Sequence, residues 1–190
     1  MSMILASGSP QRRAILEQIG VPFEVRVSDV DELEEGPPHE VALENAYRKA
    51  TAVAATVSAE GAAGSRPVLG VDTLVSLGSR IYGKPRDAEH AAAMLSELAG
   101  RPHVVISGLC LISGVETRTA AASTIVEFRA LDASAVAAYV ATREWEGRAG
   151  AYAIQGRGAT LVTRIEGDYL NVVGLPVAAL IELAPSLIAA

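Results

Sequence analysis

Strand-like stretches alternate with helix-like stretches along almost the whole chain. Apolar runs at residues 3–6 and 67–77 predict buried strands, and residues 40–57 carry apolar side chains at helical spacing. Strands that alternate with helices predict an α/β fold. Half of the 190 residues are hydrophobic, enough for one substantial core, and no linker divides the sequence. We therefore expect a single domain over residues 1–190.

The later part of the chain continues this alternation. The apolar run 104–112 predicts a long buried strand, and the polar, β-branched segment 117–129 predicts a half-exposed one. Two more strands are expected over residues 160–165 and 169–173, on either side of a turn, and a last helix from Pro176. Aromatic residues are scarce (4%) and alanine is very common, which suggests helices packed closely on a sheet.

Charge and cysteine content argue against several classes of protein. A net charge of −6 disfavours general nucleic-acid binding, which needs a basic surface. Cys110 is the only cysteine, so an internal disulfide and a thiolate zinc cluster are excluded, and its apolar neighbours predict a buried side chain. No apolar run reaches the ~18–20 residues of a membrane span, and the N-terminus does not have the pattern of a signal peptide. We expect a cytoplasmic protein with no membrane or nucleic-acid partner.

A first candidate site is the segment 7–13, which reads Ser-Gly-Ser-Pro-Gln-Arg-Arg after the first strand. Ser9 is placed to cap a helix, and free N–H groups at a helix start favour a phosphate. Ser7 adds a hydroxyl donor, and Arg12 or Arg13 adds a charge with the geometry to bind phosphate oxygens. The alternative is an ordinary capped helix with two solvated arginines. A Walker pattern is absent, which disfavours a P-loop NTPase.

Two charged residues stand at positions where the backbone is held. Asp72 interrupts an apolar strand pattern, so its carboxylate is fixed on a rigid element, where it can bind Mg²⁺ or activate a water. Lys84 lies between glycine and proline, which hold the ammonium in place. The alternatives are a polar residue at a strand kink and an exposed turn lysine.

Two other segments are candidates for ligand contacts. Three glycines in residues 150–158 suggest sharp turns or a close approach to a ligand, and Gln155 carries a donor and an acceptor that suit the edge of a base. A hairpin without function is the alternative. The acidic stretch 29–35 offers metal ligands, although such runs are usually solvated surface. The histidines lack metal-ligand spacing and are expected to be structural or exposed: His39, His90 and His103.

Five motifs in a fixed order carry a resemblance to a known family. They are Leu-Ala-Ser-Gly-Ser-Pro, Val-Asp-Thr-Leu-Val, Gly-Lys-Pro, Ala-Gly-Ala-Tyr-Ala-Ile-Gln-Gly-Arg-Gly-Ala and Val-Val-Gly-Leu-Pro. Together they resemble the Maf family of nucleotide pyrophosphatases, over residues 3–183. The fourth motif, at residues 149–159, is the most specific.

This resemblance implies a fold and an activity. The fold is expected to be similar to that of the inosine triphosphate pyrophosphatases: a long mixed sheet with flanking helices, and two lobes around a cleft, often in a homodimer. The family hydrolyses nucleoside triphosphates between the α and β phosphates and needs a divalent cation, Mg²⁺ or Mn²⁺. It is also known as septum formation inhibitor, and a house-cleaning role in removing non-standard nucleotides follows from the family alone.

The resemblance also implies roles for individual residues. Asp72 falls on the family's catalytic position, as the proton acceptor, and Glu32 on one of its charged pocket positions. In the mechanism that we expect, these two carboxylates are also the metal ligands. Thr73 and Gln155 fall on positions that mark the subgroup acting on dTTP and UTP. Ser7, Arg12, Lys49 and Lys84 fall on the family's polar and charged pocket positions. Ser9, from the helix-start motif, and Gln11 complete the expected substrate-binding residues.

One position departs from the subgroup pattern. Gln11 stands where the dTTP/UTP subgroup has arginine and the 7-methyl-GTP subgroup has tryptophan, so the base preference is open. Arg13 is one residue along the helix, about 100° around it, and need not reach the same ligand. The alternatives to a dTTP/UTP pyrophosphatase are a 7-methyl-GTP preference, a phosphatase that releases single phosphates, and a non-catalytic nucleotide sensor that regulates division.

Overall fold

The computed structural model describes residues 2–60 and 66–187. Within these ranges seven strands form one sheet in the order β2-β1-β3-β5-β6-β7, with β4 paired to β3. The strands are β1 Met3–Ala6, β2 Phe23–Val25, β3 Val68–Leu77, β4 Arg80–Tyr82, β5 Pro102–Ser113, β6 Glu116–Phe128 and β7 Val162–Glu166. The α-helices are α1 Pro10–Gln18, α2 Pro38–Ala59, α3 Ala88–Leu98, α4 Ala133–Val140, α5 Tyr169–Val173 and α6 Val177–Leu183.

The sheet is mixed, which confirms the predicted fold class. β1 pairs in parallel with both β2 and β3, whereas β3, β5, β6 and β7 pair with one another in antiparallel fashion. The parallel part requires crossover segments, and helices α1 and α2 lie in those crossovers. Within the antiparallel part, the two longest strands, β5 and β6, are joined by a tight turn.

Helix α2 lies in backbone contact with the sheet because two facing strand positions are glycine. A Cβ atom at Gly70 would overlap the carbonyl oxygen of Ala46, and one at Gly108 would overlap that of Ala42. Both strand residues lack a side chain, so the helix axis comes closer to β3 and β5 than ordinary side chains allow. This contact places the polar residues of α2 directly over the middle of β3.

The side chains of β3 alternate between two packed faces. Leu69 and Val71 pack with helices α1 and α6, while Val68 packs with α2. Successive side chains of a strand point to opposite faces. Asp72 therefore lies on the α2 face and Thr73 on the α1 face, and their hydrogen bonds agree with this assignment.

The predicted strand over residues 169–173 is wrong, because this segment is helix α5. The carboxylate of Asp168 accepts a hydrogen bond from the Leu170 N–H at 2.8 Å and caps the helix, and Gly174, with φ 131°, ends it. Asn171 is fully buried and donates to the Val105 carbonyl at 3.0 Å. A short apolar run fits a strand and a single buried helical turn equally well, and the capping aspartate was the signal that separates them.

Most other elements agree with the sequence within a few residues. Ser9 caps α1, as the sequence predicts, and Asp87 and Asp132 cap α3 and α4 in the same way. The short strand β4 was missed, and α2 begins two residues before the predicted start. Cys110 is buried, as expected. Among the helices described, none has the length and apolar character needed to cross a membrane.

Candidate active site

A cleft of about 990 Å³ opens over β3, between the turn after β1 and the segment around residue 150. Its walls include every site residue predicted from the sequence, although these residues come from distant parts of the chain. They are Ser7, Ser9, Gln11, Arg12, Glu32, Lys49, Asp72, Thr73, Lys84 and Gln155. The structure therefore brings the whole predicted set together in one place.

The α2 face of β3 carries a carboxylate cluster centred on one ammonium group. The Nζ of Lys49 lies 2.6 Å from Oδ1 of Asp72 and 2.6 Å from Oε1 of Glu32. Asp72 is 6% exposed and Lys49 7%, whereas Glu32 belongs to the exposed acidic stretch. A buried charge needs a partner of opposite sign, and each of the buried pair supplies it for the other.

Asn45 connects the acidic stretch to this cluster. Its Oδ1 accepts a hydrogen bond from the Leu33 N–H at 2.7 Å, and its Nδ2 donates to the Leu33 carbonyl at 3.0 Å and to Oδ2 of Asp72 at 3.1 Å. Leu33 follows Glu32, so the amide of Asn45 fixes the backbone that carries this second carboxylate. Asn45 was not predicted from the sequence, although it lies four residues before Lys49, on the same helix face.

The α1 face of β3 carries a buried arginine whose guanidinium is held at three points. Arg12, 8% exposed, donates from Nε to the Gly174 carbonyl at 2.9 Å, from Nη1 to Ser7 Oγ at 2.8 Å and from Nη2 to Thr73 Oγ1 at 3.0 Å. Burial lowers the pKa of Arg12, while the carboxylate of Asp72 acts in the opposite direction. Each Nη atom has a second N–H, so Arg12 can still donate to an anion in the cleft.

The hydroxyl of Thr73 has no free hydrogen-bonding capacity. It accepts from Arg12, lies 2.8 Å from Ser107 Oγ and donates to the Gly174 carbonyl at 3.3 Å. A hydroxyl has one proton and two lone pairs, and these three partners use all of them. Ser107 and Gly174, neither of which the sequence analysis selected, thus complete the surroundings of Arg12.

The turn after β1 has the predicted form of a capped helix start. Ser9 Oγ accepts from the Arg12 N–H at 3.5 Å and donates to Oε1 of Gln11 at 3.0 Å. This bond leaves the NH₂ group of Gln11 available toward the cleft that Gln11 lines. Arg13 is exposed and lines a separate hollow beside Glu17, so it does not replace the charge missing at position 11.

The wall of the cleft opposite the carboxylate cluster is formed by two segments. One backbone hydrogen bond, from Gly150 N–H to the Gly83 carbonyl at 3.2 Å, joins them. This wall carries the exposed side chains of Lys84 and Gln155. A Cβ atom at Gly150, where φ is 70°, would collide with Val75, so this glycine permits close packing against the protein. The sequence left two explanations for the glycines of this segment, a sharp turn or a close approach to a ligand. At Gly150 the sharp turn is the correct one.

His103 has a structural role in the core. His103 is buried, packs edge-on against Phe128 and Tyr152, and lies with Nε2 3.0 Å from the hydroxyl of Tyr152. Burial lowers the pKa of His103 to about 4. Within residues 2–60 and 66–187, no group of three His, Cys, Asp or Glu side chains is arranged to hold a metal ion.

Two buried cations, a buried carboxylate and a helix start around one cleft define a site for an anionic, phosphate-bearing ligand. Comparison with known proteins agrees. The profile of the family described as Maf-like protein matches residues 2–187. The chain belongs to this family.

Curated relatives cover nearly the whole chain. A protein of Bacillus cytotoxicus named dTTP/UTP pyrophosphatase is 45% identical over 181 residues, 94% of this chain and 92% of its own length. Proteins of the same name from Pyrococcus furiosus and Gloeobacter violaceus are 42% and 44% identical, and each alignment covers 95% of this chain and 93% of the relative.

Proposed function

We propose that this chain hydrolyses dTTP and UTP to the monophosphate and pyrophosphate. The observation that carries the proposal is the position of Asp72, a buried carboxylate in a cleft whose walls also hold Arg12 and Lys49. The names of the curated relatives support both the reaction and the substrates.

In the proposed reaction, Asp72 accepts a proton from the water that attacks the α-phosphorus. Its two oxygens already accept from Lys49 and Asn45, but a carboxylate has about four lone-pair directions, so a water can still be bound. The bond from the α-phosphorus to the bridging oxygen breaks, and the electrons go to the leaving pyrophosphate. Arg12, Lys49 and Lys84 stabilise the negative charge on the phosphate oxygens.

Two carboxylates in the cleft support a role for a divalent cation. Glu32 and Asp72 direct one oxygen each toward the same cationic centre, the ammonium of Lys49. Carboxylate oxygens are the ligands that Mg²⁺ and Mn²⁺ prefer. We propose that these two residues, with phosphate oxygens of the substrate, hold such an ion. When bound, it would offset charge on the phosphates.

Base selection is proposed to depend on Gln155 directly and on Thr73 indirectly. Gln155 is exposed at the cleft wall, and its amide can both donate and accept, as the O4 and N3–H edge of uracil or thymine requires. Thr73 cannot bind a base without losing a partner, because its hydroxyl is fully used. We therefore assign it the task of holding Arg12 in position.

A panel of nucleoside triphosphates, incubated with Mg²⁺, Mn²⁺ or a chelator, tests the proposal. The expected products are the monophosphate and pyrophosphate, fastest with dTTP and UTP and absent with the chelator. Release of orthophosphate would instead indicate a phosphatase, and binding without turnover would indicate a nucleotide sensor. Full activity in the chelator would exclude the metal requirement.

A further inference from the structure

One arginine at the cleft wall has a buried donor without an acceptor. Arg148 lines the cleft, and among the described residues its Nε has no hydrogen-bond partner. Within that same part of the chain no carboxylate lies within 4.0 Å of its guanidinium, in contrast to Lys49, which contacts two. Burial lowers the pKa of Arg148, and Tyr139 and the carboxylate of Glu144 oppose this only through space. A half-buried cation of this kind is stabilised by an anion.

The fold places Arg148 beside a second cation of the same wall. Gly150, two residues after Arg148, donates its N–H to the carbonyl of Gly83, and Lys84 is the next residue. Lys84 is exposed and lines the cleft. The two side chains thus project from two directly bonded segments, on the wall opposite the carboxylate cluster.

The chemistry of this wall differs from that of the α2 side. Glu32 and Asp72 lie with Lys49, so a ligand there meets both signs of charge. Arg148 and Lys84 make no ion pair with a carboxylate of the described residues, and Glu144 acts on Arg148 only through space. A guanidinium can bind two phosphate oxygens through paired N–H groups. A neutral base would leave Arg148 with only the through-space influence of Glu144, whereas a phosphate would pair with its charge directly.

We propose that Arg148, together with Lys84, binds the two terminal phosphates of the substrate, which leave as pyrophosphate. This rests on the proposed function for the identity of the substrate, but the subsite itself is defined by its affinity for a polyphosphate. Arg148 is accordingly a substrate-binding residue that the sequence analysis did not select.

Binding of inorganic pyrophosphate and tripolyphosphate, measured by calorimetry with and without Mg²⁺, tests this subsite without any turnover. Arg148→Gln should weaken both affinities by at least about tenfold, the loss expected for one charge-assisted contact. Arg148→Lys should retain part of the affinity and, if Arg148→Gln does not fold, it provides the comparison. Arg157→Gln is the matched control, because Arg157 is exposed and lies outside the cleft lining.

Wild-type affinity in Arg148→Gln, or no binding of either polyphosphate by the wild type, would overturn the subsite. A changed preference among dTTP, UTP and CTP with unchanged polyphosphate binding would also overturn it, since Arg148 would then contact the base. If the wild type binds tripolyphosphate through Arg148 but cleaves no nucleoside triphosphate, the subsite stands and the proposed function fails.

Discussion

Asp72 and Thr73 are consecutive residues of β3, yet their side chains join separate hydrogen-bond networks on opposite faces of the sheet. Asp72 contacts Lys49 and Asn45 of α2, and Thr73 contacts Arg12 of α1. One peptide unit therefore sets the spacing between the carboxylate and the arginine. A shift of one residue in the strand register would exchange the two faces.

Asp72→Asn should lower kcat by roughly 10²–10⁴, the usual range for a lost general base, with little change in KM. Steady-state kinetics with UTP measures this. Asp87→Asn is the control, since Asp87 caps α3 outside the cleft and asparagine caps equally well. Near-normal turnover in Asp72→Asn would rule out the proposed mechanism.

Asn45→Asp should reduce kcat/KM more than Asn45→Ala does. The isosteric carboxylate would place an oxygen against Oδ2 of Asp72 and the Leu33 carbonyl, where the amide now donates to both. Alanine removes these bonds without adding repulsion, although unsatisfied buried groups cost about 1–3 kcal/mol each. Steady-state kinetics measures the loss of kcat/KM, and the rate of proteolysis in the acidic stretch measures how far its backbone is released. Equal activity of the two variants would contradict the prediction.

Arg12→Ala and Lys84→Ala should differ in their effect on stability. Both should reduce kcat/KM by an amount equivalent to about 1.5–3 kcal/mol, because each removes a charged phosphate contact. Only Arg12→Ala should lower the melting temperature, since Arg12 is buried and holds Ser7, Thr73 and Gly174. Thermal unfolding separates the two, and wild-type kinetics in both variants would exclude a phosphate-binding role for these residues.

Gln11→Arg should lower KM for dTTP and UTP by restoring a cation at the helix start. Selectivity should sharpen only if glutamine has widened the range of accepted bases. Gln11→Glu, similar in size but anionic, is the contrasting variant and should raise KM. A wild-type preference for 7-methyl-GTP over UTP would show that Thr73 and Gln155 are not subgroup markers.

Acidification should destabilise the protein through His103. Its folded-state pKa, about 4, lies below the unfolded value near 6.5, so protonation favours the unfolded chain. The free energy of unfolding should fall as the pH drops from about 6.5 to about 4, by roughly 3 kcal/mol in total. Denaturant titrations of wild type and His103→Phe at several pH values measure this; parallel pH dependence of the two would contradict it.

Local signals in the sequence were sufficient to predict most helices and strands, but they could not predict the long-range contacts. The helix caps Ser9 and Asp87 act within three residues, so their patterns are legible in one segment. The hydrogen bond from Arg12 to the Gly174 carbonyl spans 162 positions, and no local pattern in the sequence predicts it. Arg148 was missed because the absence of a partner for its Nε is seen only in the folded chain. Asn45 had one local signal, its spacing from Lys49, but its bond to Asp72 spans 27 positions.

The two glycines under α2 set the distance between this helix and the sheet at the active site. Lys49 reaches Asp72 because Gly70 and Gly108 have no Cβ atom, which lets α2 lie close to the sheet. Substituting a larger residue would lift the helix without touching a single charged group. A substitution at either glycine would therefore reduce activity although neither residue lies in the cleft. The geometry of the site depends on the absence of these two side chains as well as on the residues that line it.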